Sequence, residues 1–189
     1  MTRCRRPVAT IAIPEPAMTE RRIQLFIATS LDGFIARSDG RIDWLFTDAD
    51  YGYAEFFAGI DTVLMGRRTL EDCLRFDPWP NSGKRTIAFS RTPRAAPRAD
   101  VEYTAEPVSE VVRRIRSQPG RHLWLVGGGE VVRDFLRADL IDDYIISVHP
   151  IILGEGRPLF PSIGRDTHLR LAATRSYASG LVTLHYTRA

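Results

Sequence analysis

Leu123-Trp124-Leu125-Val126-Gly127-Gly128-Gly129-Glu130 joins a short apolar run to three consecutive glycines. A helical pattern follows at Val131, Val132, Phe135 and Leu136. A strand that runs through glycines into a helix lets the backbone pass close to whatever lies beyond the strand end. The helix N-terminus favours an anion at the same spot. A dinucleotide pyrophosphate meets both conditions, and a tight turn with no ligand explains the same residues. The spacing is not G-x-G-x-x-G, so the common dinucleotide fingerprint is absent. The choice between loop and turn rests on the rest of the chain.

Strand and helix signals extend in both directions from this run. Ile23 to Ala28 reads as a buried strand, Ser30-Leu31-Asp32-Gly33 as a turn and Phe34-Ile35-Ala36 as the return. Ser38-Asp39-Gly40 is a second turn signal. The aromatics between Tyr51 and Phe57 suit a helix packed on a sheet. Thr62 to Met65 is a short strand, and Gly66-Arg67-Arg68-Thr69 opens a helix through Leu74. Thr86 to Phe89 is a strand ending in Ser90-Arg91-Thr92-Pro93. Pro107 suits a first helical position, with Val108, Val111, Val112 and Ile115 on one face, and Pro119-Gly120 stops that helix. Tyr144 to Leu153 is long and β-rich. Leu169 to Ala173 and Leu181 to Tyr186 read as a terminal antiparallel pair. Strands alternating with helices imply an α/β fold: a central mixed, mostly parallel sheet flanked by helices, with antiparallel strands at the C-terminal end.

Composition narrows the class. A chain of 189 residues with 44% hydrophobic and 26% charged residues is expected to form one domain with a real core. No apolar stretch is long enough to span a bilayer, so no membrane partner is expected. The pI of about 9.1 invites a nucleic-acid reading, which charge placement argues against. Residues 1–17 hold Arg3, Arg5, Arg6 and Glu15, a net of +2, which leaves +1 of the total +3 for the remainder. Lys84 is the only lysine. That pattern is a compositional bias toward arginine and not a phosphate-tracking stripe. Residues 1–20, with Pro7, Pro14 and Pro16, read as a disordered extension, and residues 21–189 as the single domain. Met18 is a second candidate start. Cys4 and Cys73 have no paired spacing, so a reducing, cytoplasmic setting is expected. C-x-x-C and H-x-E are both absent, so no metal is expected.

Three predicted strands share one property: each runs directly into a turn able to hold an anion. Met65 leads into Gly66-Arg67-Arg68-Thr69, Phe89 into Ser90-Arg91, and Val126 into Gly127-Gly128-Gly129. Ligands of open α/β sheets bind beyond the carboxyl ends of the strands. Side by side, these turns would form one extended polyanion site. Backbone N–H groups of Gly127 to Gly129 would face a pyrophosphate, with a hydroxyl from Thr69 and a cation from Arg67 or Arg68. Ser90 and Arg91 would hold a further phosphate, such as the 2′-phosphate that separates NADPH from NADH. Each turn has a plainer reading, as a solvated arginine or a simple loop. Their common order along the chain favours the shared site.

Four segments together resemble the dihydrofolate reductase superfamily. They are Ser30-Leu31-Asp32-Gly33-Phe34-Ile35-Ala36, Met65-Gly66-Arg67-Arg68-Thr69, Val126-Gly127-Gly128-Gly129-Glu130 and Leu153-Gly154-Glu155-Gly156-Arg157-Pro158-Leu159-Phe160. The resemblance is greatest to the reductase domain of the bifunctional riboflavin-biosynthesis deaminase–reductase and spans about residues 21–188. It implies a dihydrofolate-reductase-like sheet, bound NADPH and a homodimer. It places Gly66, Arg67, Arg68 and Thr69 around the adenosine phosphates, and Ser90 and Arg91 at the 2′-phosphate. It places Gly127, Gly128, Gly129 and Glu130 at the pyrophosphate, and Ala28 beside the nicotinamide. The implied activity is NADPH-dependent reduction of a small heterocyclic or sugar-linked substrate, of the 5-amino-6-(5-phosphoribosylamino)uracil reductase type. A non-catalytic NADPH-binding module and a true dihydrofolate reductase are the alternatives. Against the last, Leu31-Asp32-Gly33 stands where true dihydrofolate reductases carry a Trp. Asp48, Asp50 and Glu55 lie near the position of their pterin-binding acid without aligning to it.

Asp32 is the candidate for acid–base or substrate-orienting work beside the nicotinamide. An Asp-Gly turn, in which the carboxylate bonds local backbone, is the other reading. Trp44 is a candidate for the substrate pocket, and core packing accounts for it as well. His149 reads as a structural histidine, and His122, His168 and His185 lack ligand spacing.

Overall fold

The computed structural model describes residues 20–92 and 94–189. All but Glu20 of the expected disordered extension lies outside the described residues, and so do Cys4 and Met18. The elements in chain order begin with β1 (Ile23–Ser30), β2 (Phe34–Ala36), α1 (Tyr53–Ala58), β3 (Ile60–Gly66) and α2 (Arg67–Cys73). Next come β4 (Arg85–Phe89), β5 (Val101–Thr104), α3 (Val108–Arg116), β6 (His122–Gly127) and α4 (Gly129–Arg137). The chain closes with β7 (Asp143–His149), β8 (Arg157–Pro158), β9 (Leu169–Ser176) and β10 (Val182–Arg188).

Eight strands form one sheet in the order β5-β4-β3-β6-β1-β7-β10-β9. The first six run parallel, and β10 and β9 join antiparallel. β2 and β8 form a separate antiparallel pair. This is the mixed, mostly parallel α/β sheet with antiparallel C-terminal strands that the sequence implies.

Alternation along the strands divides the core in two. Leu123 and Leu125 of β6 face a cluster closed by Val111, Val112 and Ile115 of α3 and by Val131, Val132, Phe135 and Leu136 of α4. These are the apolar stripes read from the sequence at helical spacing. Trp124 and Val126 face the other way, against a cluster that includes Phe56 of α1 and Leu70 of α2. Phe26 stacks on Phe56 at 4.1 Å, and Trp124 stands edge-on to both rings.

Ion pairs close the amino-terminal edge of the parallel strands. Arg21 is buried and binds Asp61, Thr62 and two carbonyls. Asp142 accepts from the Ile23 amide, Arg116 and Arg188, while Asp143 accepts from Arg22 and His185. Hydrogen bonding to Arg22 and His185 outweighs burial and holds Asp143 below its ordinary titration range.

Several elements differ from the sequence reading. The long segment expected from Tyr144 to Leu153 stops as a strand at His149. Pro150 has no amide to extend the ladder, and the His149 carbonyl accepts from Ile151 instead. Pro107 is not the first helical residue of α3. It stays extended just before the helix, and its carbonyl accepts from Glu110 and Val111. β5 carries no strand signal in the sequence, because Val-Glu-Tyr-Thr has no apolar run and only Val101 is buried.

Candidate active site

Parallel strands end on the same side, so the sheet order β4-β3-β6-β1 brings four strand ends together. The three anion-suited turns therefore stand side by side, with Ala28 of β1 next in line. They open on one cleft of about 1620 Å³. Gly66, Arg67, Arg68, Thr69, Ser90 and Arg91 line it. So do Gly128, Gly129, Glu130 and Ala28. Gly127 is buried behind this surface as the last residue of β6, and its carbonyl accepts from the Thr69 hydroxyl at 3.5 Å.

The glycine turn has two separate reasons for its residues. Gly128 adopts φ +83, a region that side chains rarely enter, and a Cβ there would stand 3.1 Å from the Thr69 hydroxyl. Gly129 has an ordinary φ, but a Cβ on it would stand 2.7 Å from the Pro158 carbonyl oxygen. The turn is thus pressed against the β8 segment on one side and α2 on the other.

The donors left over suit a polyanion. α4 begins at Gly129 with no side-chain cap, so its first N–H groups face the cleft unspent. Arg68 and Arg91 are exposed on the cleft wall, and neither forms an ion pair among the described residues. Arg67 differs, because Glu71 holds it at 2.7 Å, and Glu71 also lies 3.6 Å from Arg94. The Ser90 hydroxyl is spent locally on the Thr92 carbonyl at 2.8 Å. Glu130 is an exposed acid on the same wall. The donor set of this chain fits a dinucleotide with more than one phosphate group.

Asp32 stands elsewhere. It is exposed on the β1–β2 turn and is not part of the cleft wall. Its carboxylate accepts from the Ser30 hydroxyl at 2.6 Å and from the Leu153 and Gly154 amides at 3.1 and 2.8 Å. These bonds, led by that from Ser30, hold it below the ordinary carboxylate range. The carboxylate is an anionic clamp between two loops. Trp44 is buried, lines neither the cleft nor the smaller aromatic cavity beside it, and stands edge-on to His149 at 5.1 Å.

Parts of the cleft wall carry no signal in the sequence. Ile42 and Leu45 come from the loop before α1, Cys73 and Phe76 from the end of α2 and the turn after it, and Thr104 to Val108 from the end of β5 through the start of α3. No motif marks them, and only the topology brings them together. Burial pushes the Cys73 thiol up to about 11, so it is protonated at neutral pH.

A second cavity of about 400 Å³ adjoins the cleft, and Ala28 and Leu45 belong to both. Phe26, Phe46, Tyr51 and Tyr53 give it aromatic walls, with Asp50 and His149 among its polar residues. His149 is structural, as its sequence context implied. Its Nδ1 donates to the Ser147 carbonyl and its Nε2 accepts from the Phe46 amide at 3.2 Å. Burial lowers its pKa and keeps the ring neutral.

A family model described as the RibD C-terminal domain matches residues 21–183. The chain belongs to this family. Membership in this family supports a riboflavin-pathway reductase-like function. The uncharacterized protein YwjB of Bacillus subtilis (strain 168) is 39% identical over 174 residues, covering 90% of this chain and 99% of its own. A structure from Shewanella sp. PV-4, named provisionally as a riboflavin biosynthesis protein, is 30% identical with a TM-score of 0.81. It covers 89% of this chain and 99% of its own. Dihydrofolate reductase from Enterococcus faecalis, solved with NADP(H), has a TM-score of 0.67 at 20% identity and covers 89% of this chain and 97% of its own. That likeness shows a dihydrofolate-reductase-like fold for this RibD C-terminal domain.

Proposed function

We propose that this chain is an NADPH-dependent oxidoreductase that reduces a small heterocyclic substrate, of the riboflavin-pathway reductase type. One observation carries the reading. The uncapped start of α4 and Arg68 and Arg91, which have no ion-pair partner among the described residues, converge on one cleft, which at Ala28 meets a second, aromatic cavity. A polyanion laid along the first cavity ends at the mouth of the second.

In this reading α4 and the glycine turn hold the pyrophosphate, Arg68 and Arg91 hold the adenosine-side phosphate, and Ala28 borders the nicotinamide. A reduced nicotinamide, when bound, supplies the hydride. The chain itself supplies position and a water-poor wall. Asp32 acts through the loops it ties together. It holds Leu153 and Gly154, and so orients the segment whose Pro158 packs on Gly129. The reading also includes a homodimer in a reducing cytoplasm. β9 is an edge strand and largely exposed, which a second copy would cover.

Titration of NADPH fluorescence, with NADH in parallel, tests the cofactor. Turnover of 5-amino-6-(5-phosphoribosylamino)uracil and of dihydrofolate tests the chemistry. Tight NADPH binding with oxidation of the cofactor by a substrate is the expected result. Tight binding with no turnover on any substrate would leave a binding module, and no binding would overturn the reading.

A further inference from the structure

Arg67, Arg68, Arg91 and Arg94 all line the cleft, yet they fall into two pairs. Arg68 and Arg91 have no ion-pair partner among the described residues. Arg67 and Arg94 meet on one carboxylate, that of Glu71. The Arg67 Nη1 donates to both Glu71 oxygens, at 2.9 and 2.7 Å. Arg94 reaches the same carboxylate from the β4–β5 loop, at 3.6 Å. Asp72 and Glu106 also line the cleft, but they face other arginines, Arg75 at 3.5 Å and Arg114 at 3.0 Å.

Helix stability does not explain this arrangement. In α2 the cation comes first and the acid one turn later, the order that the helix dipole disfavours. The side chains of Arg67, Glu71 and Arg94 are 31, 37 and 43% exposed, so water screens the contacts and their net contribution to the fold is small. The effect of the carboxylate falls on the cleft. Glu71 does not line it, but takes up charge and donors of two arginines that do. Two guanidinium groups converging on one anion are also what a phosphate monoester requires. Glu71 offers Arg67 and Arg94 the contacts that such a phosphate would offer.

We propose that Glu71 is an internal competitor of the phosphate: it binds Arg67 and Arg94 in a phosphate's stead, and so limits how strongly the cleft prefers a dinucleotide that carries a 2′-phosphate. Arg68 and Arg91 supply the standing affinity, and Glu71 sets how much Arg67 and Arg94 add to it. Glu71 acts through these arginines and is a positioning residue. The inference rests on the NADPH reading, whose cofactor selectivity it tunes.

Glu71→Gln keeps the shape of the side chain and removes its charge. Adenosine 2′,5′-bisphosphate and adenosine 5′-monophosphate differ only in the 2′-phosphate. Both are titrated calorimetrically into the parent chain and the variant, with NADPH and NADH beside them. Glu71→Gln is expected to tighten the bisphosphate and NADPH by roughly two- to fivefold, the scale of a half-exposed ion pair, with the monophosphate and NADH unchanged. In an Arg67→Ala background the gain is expected to shrink, because one of the two arginines to be released is gone. A carboxylate that merely steadies Arg67 predicts the opposite sign, since its loss would weaken the bisphosphate. Weaker or unchanged binding of the bisphosphate and NADPH, an equal gain for all four ligands, or the full gain in the Arg67→Ala background would overturn the proposal. The same titrations keep the two readings apart. If the parent binds the bisphosphate but neither dinucleotide, and Glu71→Gln tightens the bisphosphate, the oxidoreductase reading alone fails. If the parent binds NADPH and Glu71→Gln leaves that affinity unchanged, this proposal alone fails.

Discussion

The carbonyl oxygen of Pro158 lies so close to Gly129 that a Cβ on the glycine would stand 2.7 Å from it. The obstacle is backbone and cannot swing aside. Gly129→Ala is therefore expected to destabilise the fold by ~1–3 kcal/mol, the usual cost of forcing atoms into a packed site. Urea unfolding of the variant beside the parent chain measures it. Gly128→Val places a branched side chain at φ +83 and is expected to abolish NADPH binding in whatever fraction still folds. Normal NADPH affinity in that variant would reduce the triple glycine to a turn.

Arg67, Arg68 and Arg91 are not equivalent, although the sequence presents them alike. Arg67 is held by Glu71, while Arg68 and Arg91 are unpaired among the described residues. Arg68→Ala or Arg91→Ala is expected to weaken NADPH more than NADH by ~1–3 kcal/mol, the scale of a charge-assisted hydrogen bond. Arg67→Ala is expected to cost less, because its charge already has a partner. Equal losses for the two dinucleotides in all three variants would rule out the 2′-phosphate role.

Much of this cleft was legible because its anion-suited turns are contiguous in sequence. Gly66 to Thr69, Ser90-Arg91 and Gly127 to Glu130 each sit on one strand end, and parallel pairing brings the ends together. The aromatic cavity was not legible. Phe26, Phe46, Tyr53 and His149 come from two strands, a loop and a short helix, and none stands in a motif. Asp32 shows a different limit. Its Asp-Gly signature was visible, but its bonds to Leu153 and Gly154 span more than a hundred residues.

The Asp32 clamp has a pH signature with a definite sign. Its folded pKa lies below the ordinary value of 3.8. The stability it contributes is thus fully present above about pH 4 and is lost as pH falls through the lower, folded value. Asp32→Asn is expected to speed amide exchange at Leu153 and Gly154 at neutral pH while the sheet amides keep their protection. Unchanged exchange at those two amides would show that the carboxylate does not hold the loop.

His149 titrates with a consequence of the same sign at milder pH. Burial lowers its folded pKa below the ordinary 6.5. The unfolded chain therefore takes up the proton first, and stability falls as pH drops below about 6.5. Protonation also removes the acceptor for the Phe46 amide. His149→Ala is expected to cost ~2–3 kcal/mol at pH 7.5 through the lost packing and the orphaned amide. It is also expected to flatten the decline in stability between pH 7 and 5.5, as chemical denaturation across that range would show.

Leu45 and Ala28 form the partition between the two cavities. Occupants on either side of a shared wall are coupled to the extent that one of them displaces it. A molecule that presses Leu45 toward one chamber changes the room left in the other. Thermodynamic linkage then requires each occupant to alter the other's dissociation constant by the same factor. Substitutions at these two positions would therefore change the cooperativity between the chambers, a property that neither affinity measured alone reveals.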